Sequence, residues 1–83
     1  MAGDNREDDR RVLGAALREL RRRVGITQKE MTEREGLDDT YVSRVEHGRI
    51  DVKWTTLVRF VEVLNVDLHQ LADEVNRQRE ERP

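Results

Sequence analysis

The chain has 83 residues and a mass of 9.8 kDa, with 41% of residues charged, 35% apolar and no cysteine. That length suits one domain with one modest core, and the missing thiols exclude both a disulfide framework and a thiolate metal site. A net charge of −2 and a pI near 5.7 argue, taken alone, against a polyanionic partner such as nucleic acid.

Residues 1–8 are read as a flexible charged arm. They contain no signal-peptide core, and no stretch of the chain approaches the roughly 18 apolar residues of a membrane span. The expectation is a cytoplasmic protein without membrane contact. A first helix is predicted from about Asp9 to Val24. Leu13, Leu17, Leu20 and Val24 recur on one face, Asp8 and Asp9 sit at the positive pole of its dipole, and Gly25 ends it. A second helix opens at Thr27 with the capping box Thr27-x-x-Glu30, flanked by Ile26 and Met31 as a hydrophobic staple, and stops at Gly36.

The third helix starts at Asp38 or Asp39 and ends before Gly48, with Val42 and Val45 turned inward. The fourth covers about Trp54 to Leu64 and buries Leu57, Phe60, Val61 and Leu64. The fifth opens on Asp67, paired with Gln70 in a second capping box and flanked by Val66 and Leu71. Its apolar face is Leu68, Leu71, Ala72 and Val75. The folded domain is therefore expected over residues 9–76, with residues 77–83 as a frayed charged tail. The fold class is all-α.

The total charge hides a strong asymmetry. Residues 1–9 carry one Arg against four acids, a net of −3. Residues 10–34 carry seven Arg and one Lys against three Glu, a net of +5. Residues 35–50 and 51–83 each come to −2. Screening over about 8 Å means that a partner meets the local patch rather than the sum. The total thus does not exclude DNA; it predicts weak non-specific binding. Gly3, Gly14, Gly25 and Gly36 recur eleven residues apart, but their flanking residues do not repeat and no solenoid is implied.

Two short helices joined by a glycine-containing turn form a helix-turn-helix, and Thr27–Arg34, Gly36 and Asp39–His47 fit that description. A helix about 10–12 Å across fits a major groove about 12 Å wide. In such a pair the first helix crosses the phosphate backbone and the second presents its N-terminal residues to base edges.

More specific are Leu13-Gly14-x-x-Leu17-Arg18-x-Leu20-Arg21, Gly25-Ile26-Thr27-Gln28-x-Glu30-Met31, Gly36-Leu37, Thr40-Tyr41-Val42-Ser43-x-Val45-Glu46-x-Gly48, and Leu64-x-Val66. With these motifs, the run from about Leu13 to Val75 resembles the lambda-repressor-like, xenobiotic-response-element family of bacterial and phage transcriptional regulators. Leu37-x-x-Thr40-Tyr41-Val42-Ser43 and Asp51-Val52 look most like the small controller proteins of restriction–modification systems. The resemblance implies a five-helix, lambda-repressor-like DNA-binding domain with its helix-turn-helix at helices two and three. It also implies a homodimer on double-stranded operator DNA. No cofactor is expected, and with a single domain no small-molecule ligand is expected either.

By the same resemblance, Asp39, Thr40, Ser43 and Arg44 take the base-facing positions. Arg44 is the strongest of these, because a guanidinium grips guanine O6 and N7 in a bidentate pair worth about 1–3 kcal/mol of discrimination. Gln28 matches a backbone-contacting glutamine at the start of the second helix. Arg22, Arg23, Arg49 and Lys53 flank the helix pair as phosphate contacts, which add affinity without sequence information. Arg21 and Glu46 match an internal ion pair that ties the first helix to the third. Leu68, Leu71, Ala72 and Val75 are the implied dimer surface. Three positions depart from the family pattern. Asp38 and Asp39 put negative charge at the leading end of the recognition helix, where Asp38 serves as an N-cap. Thr32 replaces a small alanine, and its extra hydroxyl is tolerable there if it bonds back to a carbonyl. Lys53 stands where a serine or threonine caps the fourth helix.

Tyr41, Trp54 and Phe60 are the only aromatics and are read as core or dimer contacts. His47 and His69 have no cysteine near them, so no metal site is expected. Ser43 and His47 are four apart on an exposed helix without a cleft or oxyanion hole, so the chain is not read as an enzyme. The rival reading is a protein-interaction module on the same fold, an antitoxin-like or anti-activator component, with the Asp38-Asp39 edge facing a protein.

Overall fold

The computed structural model describes residues 6–81 and holds five helices among them: α1 (Arg6–Val24), α2 (Gln28–Glu35), α3 (Asp39–Glu46), α4 (Trp54–Leu64) and α5 (Leu68–Glu80). Local chemistry accounts for most of their ends. Thr27 Oγ1 accepts from the Glu30 amide at 3.0 Å while Glu30 Oε1 accepts from the Thr27 amide at 2.9 Å, which closes the box at the start of α2. Asp67 and Gln70 repeat the arrangement at α5, at 2.8 and 2.9 Å. Gly36 adopts φ 65° after α2, and the amide of Leu37 returns to the Thr32 carbonyl at 3.0 Å. Lys53 gives α4 no side-chain cap.

Two helices exceed their expected lengths. α1 starts at Arg6 instead of Asp9, with Glu7 3.4 Å from Arg11 one turn on. The arm expected over residues 1–8 is thus helical from Arg6, and its residues 1–5 lie outside the described residues. α5 continues past Asn76 to Glu80 rather than fraying. Its last turns are held because Gln78 Nε2 donates to Glu74 Oε2 at 2.9 Å and Arg79 lies 3.8 Å from Asp9 of α1. Residues 82–83 of the expected tail lie outside the described residues.

α1 is the central element and touches α3, α4 and α5, while α2 packs on α3 and α4. The core joins Ala16, Leu17 and Leu20 of α1 to Ile26, Met31, Val42, Val45, Phe60, Val61, Leu64 and Leu71. The buried stripe of α1 is rotated from the expected one. Val12 and Ala16 are buried, Leu13 is half-buried, and Val24, the last residue before the turn, is 45% exposed. Leu57 of α4 is likewise half-buried.

Gly14 sets the crossing of α1 and α3. A Cβ there would collide with the Val45 carbonyl oxygen and stand 2.7 Å from that of Glu46, so only a glycine lets α1 lie on the C-terminal end of α3. Thr32 does not meet the condition set for its hydroxyl. It is buried, and its Oγ1 has no hydrogen-bond partner, so the back-bond to a carbonyl does not form.

Candidate nucleic-acid interface

α2 and α3 are eight residues each and are joined by the three residues Gly36, Leu37 and Asp38. The left-handed Gly36 turns the chain, and Asp38 starts the next helix. Its Oδ1 accepts from both the amide and the hydroxyl of Thr40, each at 2.8 Å. The Thr40 backbone hydrogen bond, then its side-chain hydrogen bond, hold the Asp38 carboxyl below its ordinary pKa, and the Arg44 charge adds to them against desolvation. Asp38 is therefore spent on capping. The side chain of Asp39 lies outside the described residues.

Val42 and Val45 anchor α3 in the core and leave Thr40, Ser43, Arg44 and His47 on its other side. Thr40 and Arg44 are exposed and Ser43 is half-buried. His47 Nδ1 lies 2.8 Å from the Ser43 carbonyl and 3.4 Å from its Oγ. A carbonyl only accepts, so Nδ1 donates to it and is not available as a base for the serine. Among the described residues no cluster of three or more His, Cys, Asp or Glu side chains is placed to hold a metal ion.

Behind this face lies a polar network that joins three helices. Arg21 Nε donates to Glu46 Oε2 at 2.6 Å and Nη2 to Oε1 at 3.1 Å, while Nη1 donates to the Ile26 carbonyl at 2.8 Å. The expected pair of Arg21 and Glu46 is present, and both residues are buried. Gln28 joins it: Nε2 donates to Glu46 Oε1 at 2.9 Å. Its amide is thus engaged inside the fold, with one N–H and the oxygen left over for an outside partner.

The four flanking cations separate. Arg22, Arg49 and Lys53 are exposed. Arg23 instead lies 2.9 Å from Glu74 Oε1 and 3.1 Å from Glu19 Oε2. Glu74 of α5 is only 2% exposed, and Arg77 stands 3.5 Å from the same oxygen. The geometry at Oε1 is a charge contact rather than an aligned hydrogen bond. Arg23 therefore ties α1 to α5, and its guanidinium is committed to a buried carboxylate that would otherwise have only Arg77 and Gln78 to meet its charge. The signal was legible: Glu74 lies between Leu71 and Val75 on the inner side of α5, where an acid needs a partner.

The expected dimer surface also divides. Leu71 is 5% exposed and belongs to the chain's own core, a correction to its assignment as a dimer contact. Val75 is half-buried against that core, whereas Leu68 is 47% exposed and Ala72 is exposed. Of the aromatics, Tyr41 and Phe60 meet edge to face with centroids 6.4 Å apart, and Trp54 is 61% exposed. No helix among the described residues is long and apolar enough to cross a membrane.

Residues 12–81 match the family described as "Helix-turn-helix domain". The ImmF control region 10 kDa protein of Bacillus phage phi105 is 35% identical over 63 residues, 76% of this chain and 70% of that protein. An uncharacterized HTH-type transcriptional regulator of Sinorhizobium fredii is 36% identical over 59 residues, 71% of this chain and 77% of its own. Among solved structures, the clp gene regulator ClgR from C. glutamicum superposes with a TM-score of 0.79 at 30% identity, covering 84% of this chain and 90% of that one. The restriction-modification controller protein C.AhdI from Aeromonas hydrophila gives 0.72 at 31% identity, covering 77% and 97%. The five-helix, lambda-repressor-like architecture is thus shared with regulators rather than enzymes.

Proposed function

The chain belongs to the helix-turn-helix domain family, and from that membership we propose that it is a homodimeric transcriptional regulator that reads operator DNA with α3 in the major groove. One observation carries this reading. The exposed residues Thr40 and Arg44 and the half-buried Ser43 lie opposite Val42 and Val45, on a helix clamped to α1 at Gly14 and Glu46. A rigid helix with polar, hydrogen-bonding side chains facing outward is what base readout requires.

Asp39, Thr40, Ser43 and Arg44 are the base-facing set in this proposal, and Gln28, Arg22, Arg49 and Lys53 the phosphate contacts. Arg23 acts through the fold, by holding Glu74. Leu68 and Ala72, with the edge of Val75, form the contact between copies, and the twofold sets half-sites about 34 Å apart. The protein works in the cytoplasm, and its own concentration governs occupancy of the operator.

Selection of bound duplexes from a random pool, followed by footprinting, tests the reading. A two-half-site consensus is expected, and its binding should weaken with salt by a logarithmic slope near −0.9 per phosphate contacted. Arg44→Ala should erase preference between consensus and scrambled duplex while leaving the melting temperature unchanged. Recovery of no consensus, with no duplex bound at moderate salt, overturns the reading in favour of a protein-interaction module. Sedimentation as a monomer at tens of micromolar overturns the dimer.

A further inference from the structure

We propose that Arg10, Arg11 and Arg49, with His47 at the rim, form a second phosphate-binding locus that takes a backbone phosphate of the duplex beyond the bases read by α3. It rests on the DNA-binding reading above and extends the contact surface to the first turns of α1.

Glu7, Arg10, Arg11, His47, Gly48 and Arg49 line a cleft of about 420 Å³ between the start of α1 and the turn after α3. Gly48 makes it possible. The residue has φ 70°, and a Cβ on it would stand 2.7 Å from Arg11 Cα, so only glycine lets this turn lie directly on α1. The close approach gathers cations from two elements that are far apart in sequence. Arg10 Nε reaches the Gly48 carbonyl at 3.4 Å, which orients the guanidinium and leaves its terminal amino groups for a ligand.

The charge balance favours an anion. Three guanidiniums face one carboxylate, Glu7, which lies 3.4 Å from Arg11 in a pair whose side chains are 63% and 66% exposed. Such an exposed pair exchanges readily for another anion. Neither Arg10 nor Arg49 is ion-paired among the described residues. The carbonyl end of α3 contributes roughly half a negative charge, which the net positive charge of the cleft outweighs.

Position selects a duplex phosphate over a free anion. Thr40, Ser43 and Arg44 on α3, and His47 at its C-cap, follow one another at about one-turn intervals, and His47 lines the cleft. α3 has eight residues, about 12 Å of helix, against a groove about 8.5 Å deep, so a helix that enters by its first residues has its last turn near the groove's rim. When its first residues meet base edges, its last turn and the adjoining cleft lie against the sugar–phosphate wall.

The experiment uses the full chain, the selected operator duplex and a scrambled duplex of equal length. R10A/R11A should bind both duplexes about tenfold more weakly at low salt. Its salt slope should be shallower by about 0.9, for the one phosphate lost, with the ratio between the duplexes unchanged. R10K/R11K, which keeps the charge, should retain the slope. Trimming the base pairs that flank the footprint should remove the difference between wild type and R10A/R11A. If R10A/R11A melts early, R11Q carries the test, because its side chain is exposed and the slope should still fall. An unchanged slope in R10A/R11A, or in R11Q, with wild type still selecting its operator overturns this locus alone. Wild-type protein that binds no duplex overturns the locus and the DNA-binding reading together.

Discussion

Gln28 and Glu46 stand 18 residues apart in sequence and are joined by a 2.9 Å hydrogen bond, so the first residue of α2 is fastened to the last residue of α3. Glu46 receives Arg21 on both carboxylate oxygens at the same time. The corner of the helix-turn-helix is therefore held by a polar knot beneath it as well as by Met31, Val42 and Val45 in the core.

Glu46→Gln should reduce the free energy of unfolding by about 3–5 kcal/mol, because the Arg21 guanidinium keeps its burial and loses its counter-charge. Urea denaturation measures it. Pairing Glu46→Leu with Arg21→Met should recover most of the loss, since no unpaired charge is then left inside. A single-mutant cost below about 1 kcal/mol, the range of exposed pairs, would show that the knot is not holding the corner.

Thr32→Val should stabilise the protein by about 1 kcal/mol. The substitution conserves shape and removes a buried hydroxyl that has no partner. Thermal unfolding should shift upward by several degrees, as expected for a domain of this size. A downward shift would mean that the hydroxyl is satisfied in solution.

Arg22 and Arg23 are adjacent and exposed, yet their alanine variants should fail in different assays. Arg22→Ala should leave the melting temperature in place and make the salt slope of duplex binding shallower by about 0.9. Arg23→Ala should lower the melting temperature, because Glu74 stays buried with only Arg77 and Gln78 to meet its charge. Equal behaviour of the two variants in both assays would refute the division of labour.

Acid should loosen the helix starts at α2 and α3. The carboxyls of Glu30 and Asp38 lie below their ordinary values of 4.5 and 3.8, chiefly through backbone hydrogen bonds from Thr27 and Thr40 respectively. Between each lowered value and the ordinary one, the unfolded chain binds the extra proton. Their contribution is therefore complete above the ordinary values and is lost as pH falls through the native ones. Melting temperature followed from pH 5 downward should decline, and Asp38→Asn, which still caps, should flatten the decline at its acid end.

The features legible in the sequence were those made within three or four residues. The boxes at Thr27 and Asp67, the cap at Asp38, the stops at Gly25 and Gly36 and the bare start at Lys53 all rest on neighbours in the chain. The pair of Arg21 and Glu46 was foreseen only through the family resemblance, because nothing local joins residues 25 apart. Tertiary structure decided what the crossing of helices decides. Arg21 and Arg23 are two residues apart, about 200° around α1, so one meets Glu46 of α3 and the other Glu74 of α5. The same crossing turns Leu71 inward, leaves Leu68 and Ala72 outside, and lays Gly48 on Arg11. Composition alone pointed away from nucleic acid. The periodicity of each helix set which residues share a face, but only the packing of one helix on another set which charges are consumed inside and which remain to meet a partner.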